Sequence, residues 1–250
     1  MLTTDLTGHL ALITGATGGI GQATALTLAN LGCSIAVHYN SASTTAHSLV
    51  EKLLEKGVRA SAFQADLTSY PAVRTLHHFV VTQMGHPSIL FNNAGLISGP
   101  NRATDISEID ISDFENTWRA NCGSAFLLTQ LCMPAMVEKG WGRIIFCSSV
   151  AGFTGGVVGP HYASSKSALH GLVHWLAGVY ADRGVTVNGV APALIGETGM
   201  LPGSSEELAK KIPIGRLGTP DEIAATVEWM VKTGYVTNKV VGVDGGMFIQ

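Results

Sequence analysis

Charge is scarce in this sequence. Only 13% of its residues are Asp, Glu, Lys or Arg, about half the share usual in a soluble domain. The balance is −3, so no basic surface stands ready for a phosphate backbone, and nothing points to nucleic acid as a partner. Cysteine is equally sparse. Cys33, Cys122, Cys132 and Cys147 are too few and too irregularly spaced for a disulfide framework or a zinc site. They read as reduced, mostly buried thiols of a cytoplasmic protein. The nine histidines show no ligand spacing, so no metal is expected. No apolar run reaches spanning length, and the start, MLTTDLTGH, lacks the basic and apolar regions of a signal peptide. The expectation is a soluble chain with no membrane partner. What the chain has instead is 46% hydrophobic residues, enough for a large core and a surface partly covered by self-association.

Short β-rich runs alternate with helix-period segments for nearly the whole length, the pattern of a parallel sheet with helices on both faces. Strands are expected at His9 to Thr14, Cys33 to Tyr39, Val58 to Ala65, Ser88 to Phe91, Arg143 to Cys147, Val185 to Val190 and Lys239 to Val243. The longest helix is expected from Ser112 to Glu138, with Pro134 kinking or shortening it. Leu96 to Asp110 and the glycine-rich stretch Gly152 to Gly159 read as loops. No composition shift or linker divides residues 1–250, so one α/β domain is expected.

Thr14-Gly15-xxx-Gly19-x-Gly21 lies directly between the first strand and the first helix. Such a turn points backbone N–H groups at an anion, and glycine lets a pyrophosphate come close. Glycines also serve plain tight turns. Asp66, just past the third strand, is placed either to accept a hydrogen bond from an adenine amino group or to cap the next helix. Asn92-Asn93-Ala94-Gly95 closes the fourth strand on the edge where open parallel sheets bind ligands, though turn asparagines also satisfy backbone groups. Asn121 stands mid-helix, where asparagine is a poor helix former; a specific task, a kink or a surface position would each explain it.

Tyr162 and Lys166 are four residues apart, so on a helix both project from one face. A tyrosine hydroxyl ordinarily titrates near ~10. A fixed positive charge close by favours the phenolate and makes the group a usable general acid or base. Taken alone, YxxxK also arises by chance on a solvated helix face. Ser149, thirteen residues before Tyr162 at the end of an apolar run, supplies a hydroxyl for a substrate oxygen. His161 either faces the substrate or stands partly solvated at the helix start, and the second is expected.

These motifs, together with Pro192, occur in the order and at the separations of the short-chain dehydrogenase/reductases, which the chain resembles over essentially its full length. Within that family it is most similar to the 3-oxoacyl-acyl-carrier-protein reductases, through Gly215-Arg216-Leu217-Gly218, the Pro220-led helix and Val243-Asp244-Gly245-Gly246-Met247. The resemblance implies a Rossmann-like doubly wound parallel sheet of about seven strands. It implies a catalytic set of Asn121, Ser149, Tyr162 and Lys166. Tyr162 would give its proton to a ketone oxygen and Ser149 would hydrogen-bond that oxygen. Lys166 would favour the phenolate and hold the nicotinamide ribose, and Asn121 would anchor a water in a proton relay to Lys166. Cofactor-binding positions implied are Gly15, Thr17, Gly18, Gly19, Ile20 and Gly21 in the first turn, then Tyr39, Asn40 and Ser41 after the second strand. Asp66 and Leu67, then Asn93, Ala94 and Gly95, follow along the sheet edge, and Pro192, Ala193, Ile195 and Thr198 join Tyr162 and Lys166. Hydride comes from the cofactor, so the protein's part is orientation and charge stabilisation. A homotetramer is also implied, with the Ser112 and Tyr162 helices at one interface and the C-terminal strand region at another.

Several positions depart from the family pattern. NAD-preferring relatives place an acidic residue at the end of the second strand, for the ribose 2′-hydroxyl. Here that end reads Val37-His38-Tyr39-Asn40-Ser41 with no carboxylate, and Asn40, Ser41 and Ser43 offer donors to a 2′-phosphate. NADP(H) is therefore favoured over NAD(H), although the basic residue common in NADP-binding relatives is missing, at Gly18 as well. Ala193 replaces the glycine usual after Pro192, and one extra residue precedes Thr198. The lid after it, Met200 to Ser205, is short. Lys139, Arg143 and Arg183 are the candidates for a basic patch that docks a carrier protein. The expected reaction is reduction of a ketone by NADPH, the substrate a 3-oxoacyl thioester linked to a carrier protein or coenzyme A. A carbonyl reductase or secondary-alcohol dehydrogenase for a small or specialised-metabolite ketone is the alternative, and a dinucleotide-binding regulator without turnover the remote one.

Overall fold

The computed structural model describes residues 2–198 and 205–248. Its strands are β1 (Leu10–Ile13), β2 (Ser34–Tyr39), β3 (Ala60–Gln64), β4 (Ile89–Asn92), β5 (Gly142–Cys147), β6 (Val185–Pro192) and β7 (Lys239–Val243). They form one sheet in the order β3-β2-β1-β4-β5-β6-β7, and every neighbouring pair is parallel. β1, β4, β5 and β6 are buried along their whole length. They read as near-continuous apolar runs because helices cover both faces of a parallel sheet.

On one face α1 (Gly19–Ala29), α2 (Ser43–Glu55) and α9 (Pro220–Lys232), which follows the short α8 (Ser205–Ala209), bury Leu28, Leu49, Leu53, Ile223 and Val227 against β1 and β2. On the other, α3 (Tyr70–Met84), α5 (Ser124–Lys139) and α7 (Pro160–Tyr180) bury Val73, Leu76, Leu128, Leu169 and Val173. Each fully buried side chain of this kind contributes about 1.5–3 kcal/mol, which sets the two layers rigidly on the sheet. Helix starts carry their own signals. Ser69 accepts the Ala72 N–H ahead of α3, with Pro71 in the first turn. Thr219 and Glu222 form a reciprocal capping box at the start of α9, and Arg216 grips the same Glu222 carboxylate at 2.6 and 2.9 Å. That pairing holds the carboxyl down at about 2. It fixes the turn which places Pro220 against the start of α1.

The long helix differs from a plain α-helix. α4 (Ile111–Trp118) runs through a π-turn, Arg119–Gly123, into α5, with the Ser124 N–H bonding to Arg119 O. Pro134 sits inside α5 without ending it. By length and mean composition alone Ile111–Lys139 is apolar enough to cross a membrane, although polar residues interrupt it throughout. In this fold 56% of its most apolar window is buried in the protein, as in a core helix. The glycine-rich stretch before α7 also contains a short helix, α6 (Ala151–Thr154). Burial pushes the Cys33 and Cys132 thiols up to about 12, and all four cysteines are free.

Candidate active site

Strand order reverses between β1 and β4, and a crevice opens at the C-terminal ends of strands flanking such a switch point. A cleft of about 800 Å³ occupies it. Thr14 knots its floor. Its hydroxyl accepts the N–H groups of Asn93 at 2.9 Å and Ala94 at 3.0 Å, while Asn93 Nδ2 donates back to Thr14 O at 2.8 Å and Gly15 O at 3.1 Å. Asn93, Ala94 and Gly95 thus line the cleft as a fixed edge. Asn92 turns the other way, into the core, where Nδ2 donates to Thr129 Oγ1.

The glycine turn forms one wall. Gly15 has φ +59°, a backbone region that favours glycine. A Cβ on Gly21 would lie 2.5 Å from Gly15 O, and one on Gly19 would lie 2.6 Å from Glu197 O. Those two glycines are required by close approach of backbone to backbone. Gly18 is different: its φ is −76° and its nearest neighbour would be 3.5 Å away. The first-turn N–H groups of α1, at Gly19, Ile20 and Gly21, have no acceptor within the helix. Thr17, Gly18 and these three residues all line the cleft. The arrangement is a cradle for a phosphate.

At the end of β2, Asn40 and Ser41 line the cleft and no carboxylate accompanies them. Tyr39 does not. Strand alternation turns it into the core, 8% exposed and edge-on to His47 with ring centroids 6.4 Å apart. His38 takes the opposite direction and faces the cleft, a lining residue that sequence reasoning passed over. Its signal was a lone imidazole in an apolar, buried strand. Asp66 and Leu67 line the next stretch. Asp66 Oδ1 accepts from the N–H and hydroxyl of Thr68, a local turn, and Ser69 rather than Asp66 caps α3.

The reactive groups meet at the far end of the crevice. Lys166, 2% exposed, donates from Nζ to Cys147 O at 2.7 Å and holds Nζ 5.7 Å from the centroid of the Tyr162 ring. No carboxylate pairs with this ammonium among the described residues. Burial pushes the adjacent Cys147 thiol up, against the pull of the Lys166 charge, so it stays protonated. Ser149 Oγ accepts the Ala151 N–H at 3.1 Å and lies 3.5 Å from Pro192 O, a long contact that leaves its proton weakly held. Tyr162, Lys166 and Ser149 all line the cleft.

Asn121 does not line it. It sits in the π-turn, 2% exposed, with Oδ1 accepting Leu96 N–H at 2.7 Å and Nδ2 donating to Leu96 O at 2.9 Å and Ser165 Oγ at 3.0 Å. Its side chain clamps the loop after β4 to the residue beside Lys166. π-turns concentrate at functional sites, and Tyr70 Oη packs against Gly123 where any Cβ would intrude. His161 is fully buried rather than partly solvated, because α4 covers the start of α7 and brings Asp113 near its ring.

Pro192, Ala193, Ile195 and Thr198 line the side formed after β6, with the Thr198 hydroxyl donating to Ile195 O at 2.8 Å. Glu197, just ahead of Thr198, has φ +57°. Residues 200–204 of the expected lid, Met200 to Ser205, lie outside the described residues. The proposed docking patch needs correcting. Arg143 is 5% exposed, donates to Val231 O and Gly142 O, stacks on Trp141 at 4.2 Å, and is pushed down to about 10 by burial. Lys139 and Arg183 immediately precede β5 and β6, so they lie at the strands' N-terminal edge, opposite the cleft. The cations that line the cleft are Arg102, Lys166 and Lys211, with apolar Ile97, Val157 and Val158 beside them. Arg102 and Lys211 were illegible because they come from distant loops.

The residues present fit a dinucleotide: a glycine turn shaped for a phosphate, a fixed sheet edge, and a buried ammonium beside a tyrosine ring. A family model described as short chain dehydrogenase matches residues 9–209. The chain is 34% identical to the 3-oxoacyl-[acyl-carrier-protein] reductase of Synechocystis sp., over 98% of each chain. Its fold superposes on a blue fluorescent protein from a metagenomic library, solved in complex with NADPH, with TM-score 0.88 and 36% identity, covering 97% of this chain and 99% of that one. A gluconate 5-dehydrogenase from Burkholderia cenocepacia, in complex with NADP and tartrate, gives TM-score 0.87 at 28% identity, covering 98% and 96%. With the doubly wound sheet, the glycine cradle and the Ser149, Tyr162 and Lys166 cluster in place, these matches establish that the chain belongs to the short-chain dehydrogenase family of oxidoreductases.

Proposed function

We propose that this protein reduces a 3-oxoacyl thioester to the 3-hydroxyacyl thioester, acting as one domain per catalytic unit. NADPH supplies the hydride. The observation that carries the reading is the convergence of Tyr162, Ser149 and the buried Lys166 ammonium at one end of a cleft whose other end is a phosphate cradle. As negative charge develops on the ketone oxygen, Ser149 Oγ donates to it and Tyr162 passes it a proton. The Lys166 charge favours the phenolate left behind. Lys166 has further N–H groups besides the one held by Cys147 O, and these suit a ribose hydroxyl. Asn121 acts through Ser165 and Leu96, holding the walls in which these groups are set.

The open β2 end supports NADPH over NADH, since Asn40 and Ser41 offer donors there and no carboxylate repels a 2′-phosphate. Arg102 and Lys211 among the lining residues support an anionic carrier arm on the substrate. The Synechocystis relative is a reductase of this kind. A second reading, a small-ketone reductase or secondary-alcohol dehydrogenase, is favoured by the likeness to a gluconate 5-dehydrogenase. Exposed Ile111, Phe126 and Trp175 on the long helices, and Trp229 and Tyr235 near β7, support a homotetramer with two kinds of interface; light scattering tests it.

The deciding assay follows NADPH consumption with an acetoacetyl thioester, beside NADH, free ketones and the Tyr162→Phe variant. Turnover with NADPH that is lost in the variant is expected. Activity confined to free ketones moves the protein to the second reading, and an equally active variant sinks the mechanism.

A further inference from the structure

β2 alternates its side chains between the two core layers, and His38 shares the direction of Ala36, away from Val37 and Tyr39. It is 2% exposed. Its ring meets two backbone groups from two different loops. Nδ1 accepts the Gly15 N–H at 2.9 Å, and Nε2 lies 3.0 Å from Ala65 O. A carbonyl can only accept, so the proton is on Nε2 and Nδ1 is bare. The main chain of the same residue adds a third link, His38 O accepting Ala16 N–H at 2.9 Å. The next residue adds a fourth, Tyr39 O accepting Ala65 N–H at 3.0 Å.

Two consecutive amides of the glycine turn, at Gly15 and Ala16, are therefore turned inward onto one residue. Gly18 N–H closes the turn on Gly15 O at 3.1 Å. With those three donors occupied, the amides left to face the cleft are that of Thr17 and those at the start of α1. We propose that His38 is a positioning residue for the dinucleotide: its imidazole clips the β1 turn to the loop after β3, and so aims the first-turn amides of α1 at the pyrophosphate. No assigned residue of the catalytic set does this, and a purely apolar side chain would leave Gly15 N–H and Ala65 O without partners in a buried site.

The inference rests on the proposed dinucleotide site, so its test reads binding directly. NADPH and NADP+ affinities are measured by titration calorimetry on the full chain for the parent, His38→Leu and His38→Asn, each first shown to be folded by its thermal transition. Asparagine offers an acceptor near the Nδ1 position but cannot span to Ala65. Leucine should weaken both nucleotides about tenfold, the loss of one well-placed buried hydrogen bond, and asparagine should recover most of it. Thioester KM, measured at saturating NADPH, should stay within about twofold of the parent in both variants. Nucleotide affinity unchanged in His38→Leu overturns the positioning role alone. So does a loss no smaller in His38→Asn than in His38→Leu. A parent that binds neither nucleotide overturns the cofactor reading itself, and this inference with it.

Discussion

Replacing Asn121 by leucine keeps the volume of the side chain and removes every polar atom from the clamp. Three hydrogen bonds are lost, those to Leu96 N–H, Leu96 O and Ser165 Oγ, at 2.7, 2.9 and 3.0 Å. Each is worth about 1 kcal/mol net, and a buried backbone donor or acceptor left alone costs about 1–3 kcal/mol. Leu96 is only half-buried, so water relieves part of that cost, and the sum comes to about 3 kcal/mol. For a chain of this length the thermal midpoint falls by roughly 2–4 °C per kcal/mol, hence about 6–12 °C. Scanning calorimetry at matched protein concentration reads the shift, since the midpoint of any self-associating protein depends on concentration. A leucine variant that melts within about 2 °C of the parent refutes the clamp.

Three further outcomes follow from the same geometry. Burial pushes His38 down to about 4, the Ala65 carbonyl opposing, while Asp66 beside that carbonyl is exposed. The lowered value means full stability above pH ~6.5 and loss as pH falls toward 4, about 3 kcal/mol in total; denaturant midpoints from pH 7 to 4 should fall less steeply in His38→Asn, and equal slopes refute it. Gly18→Arg fits without strain and should raise the NADPH-to-NADH ratio of kcat/KM about tenfold, whereas an unchanged ratio places the 2′-phosphate elsewhere. Lys211→Glu should raise KM severalfold for a phosphopantetheinyl thioester and leave a phosphate-free thioester unaffected; equal effects on both would remove the anion-binding role.

Legibility followed distance along the chain. The strand-helix alternation, the glycine turn and the Tyr162–Lys166 spacing are local patterns, written within a few residues of one another, and each appears in the fold where its period or spacing puts it. Tyr39 and His38 show the limit. They are adjacent, and only the parity of β2 relative to the two helix layers decides which faces the cleft. Arg143 reads as a surface cation by residue type, yet the carbonyls of Val231 and Gly142 and the Trp141 ring give it a buried place. Asn121 was noticed as a poor helix former, but its partners lie 25 and 44 residues away, and only tertiary structure could name them.

The π-turn at Arg119–Gly123 makes the site sensitive to residue count as well as to residue identity. The Ser124 N–H reaches back five residues to Arg119 O, one more than a regular turn spans, so the turn holds an extra residue while α4 and α5 keep nearly the phase of one continuous helix. Asn121 sits inside that widened turn, and its bonds to Leu96 and Ser165 depend on it. A single deletion between Trp118 and Ser124 that restores regular winding should leave Thr117 on Ser98 N–H and Trp118 on Ser164 Oγ, each at 3.1 Å here, and remove the Asn121 clamp alone. The extra residue is therefore a spare link in the helix, taken up where the Leu96 loop has to be held.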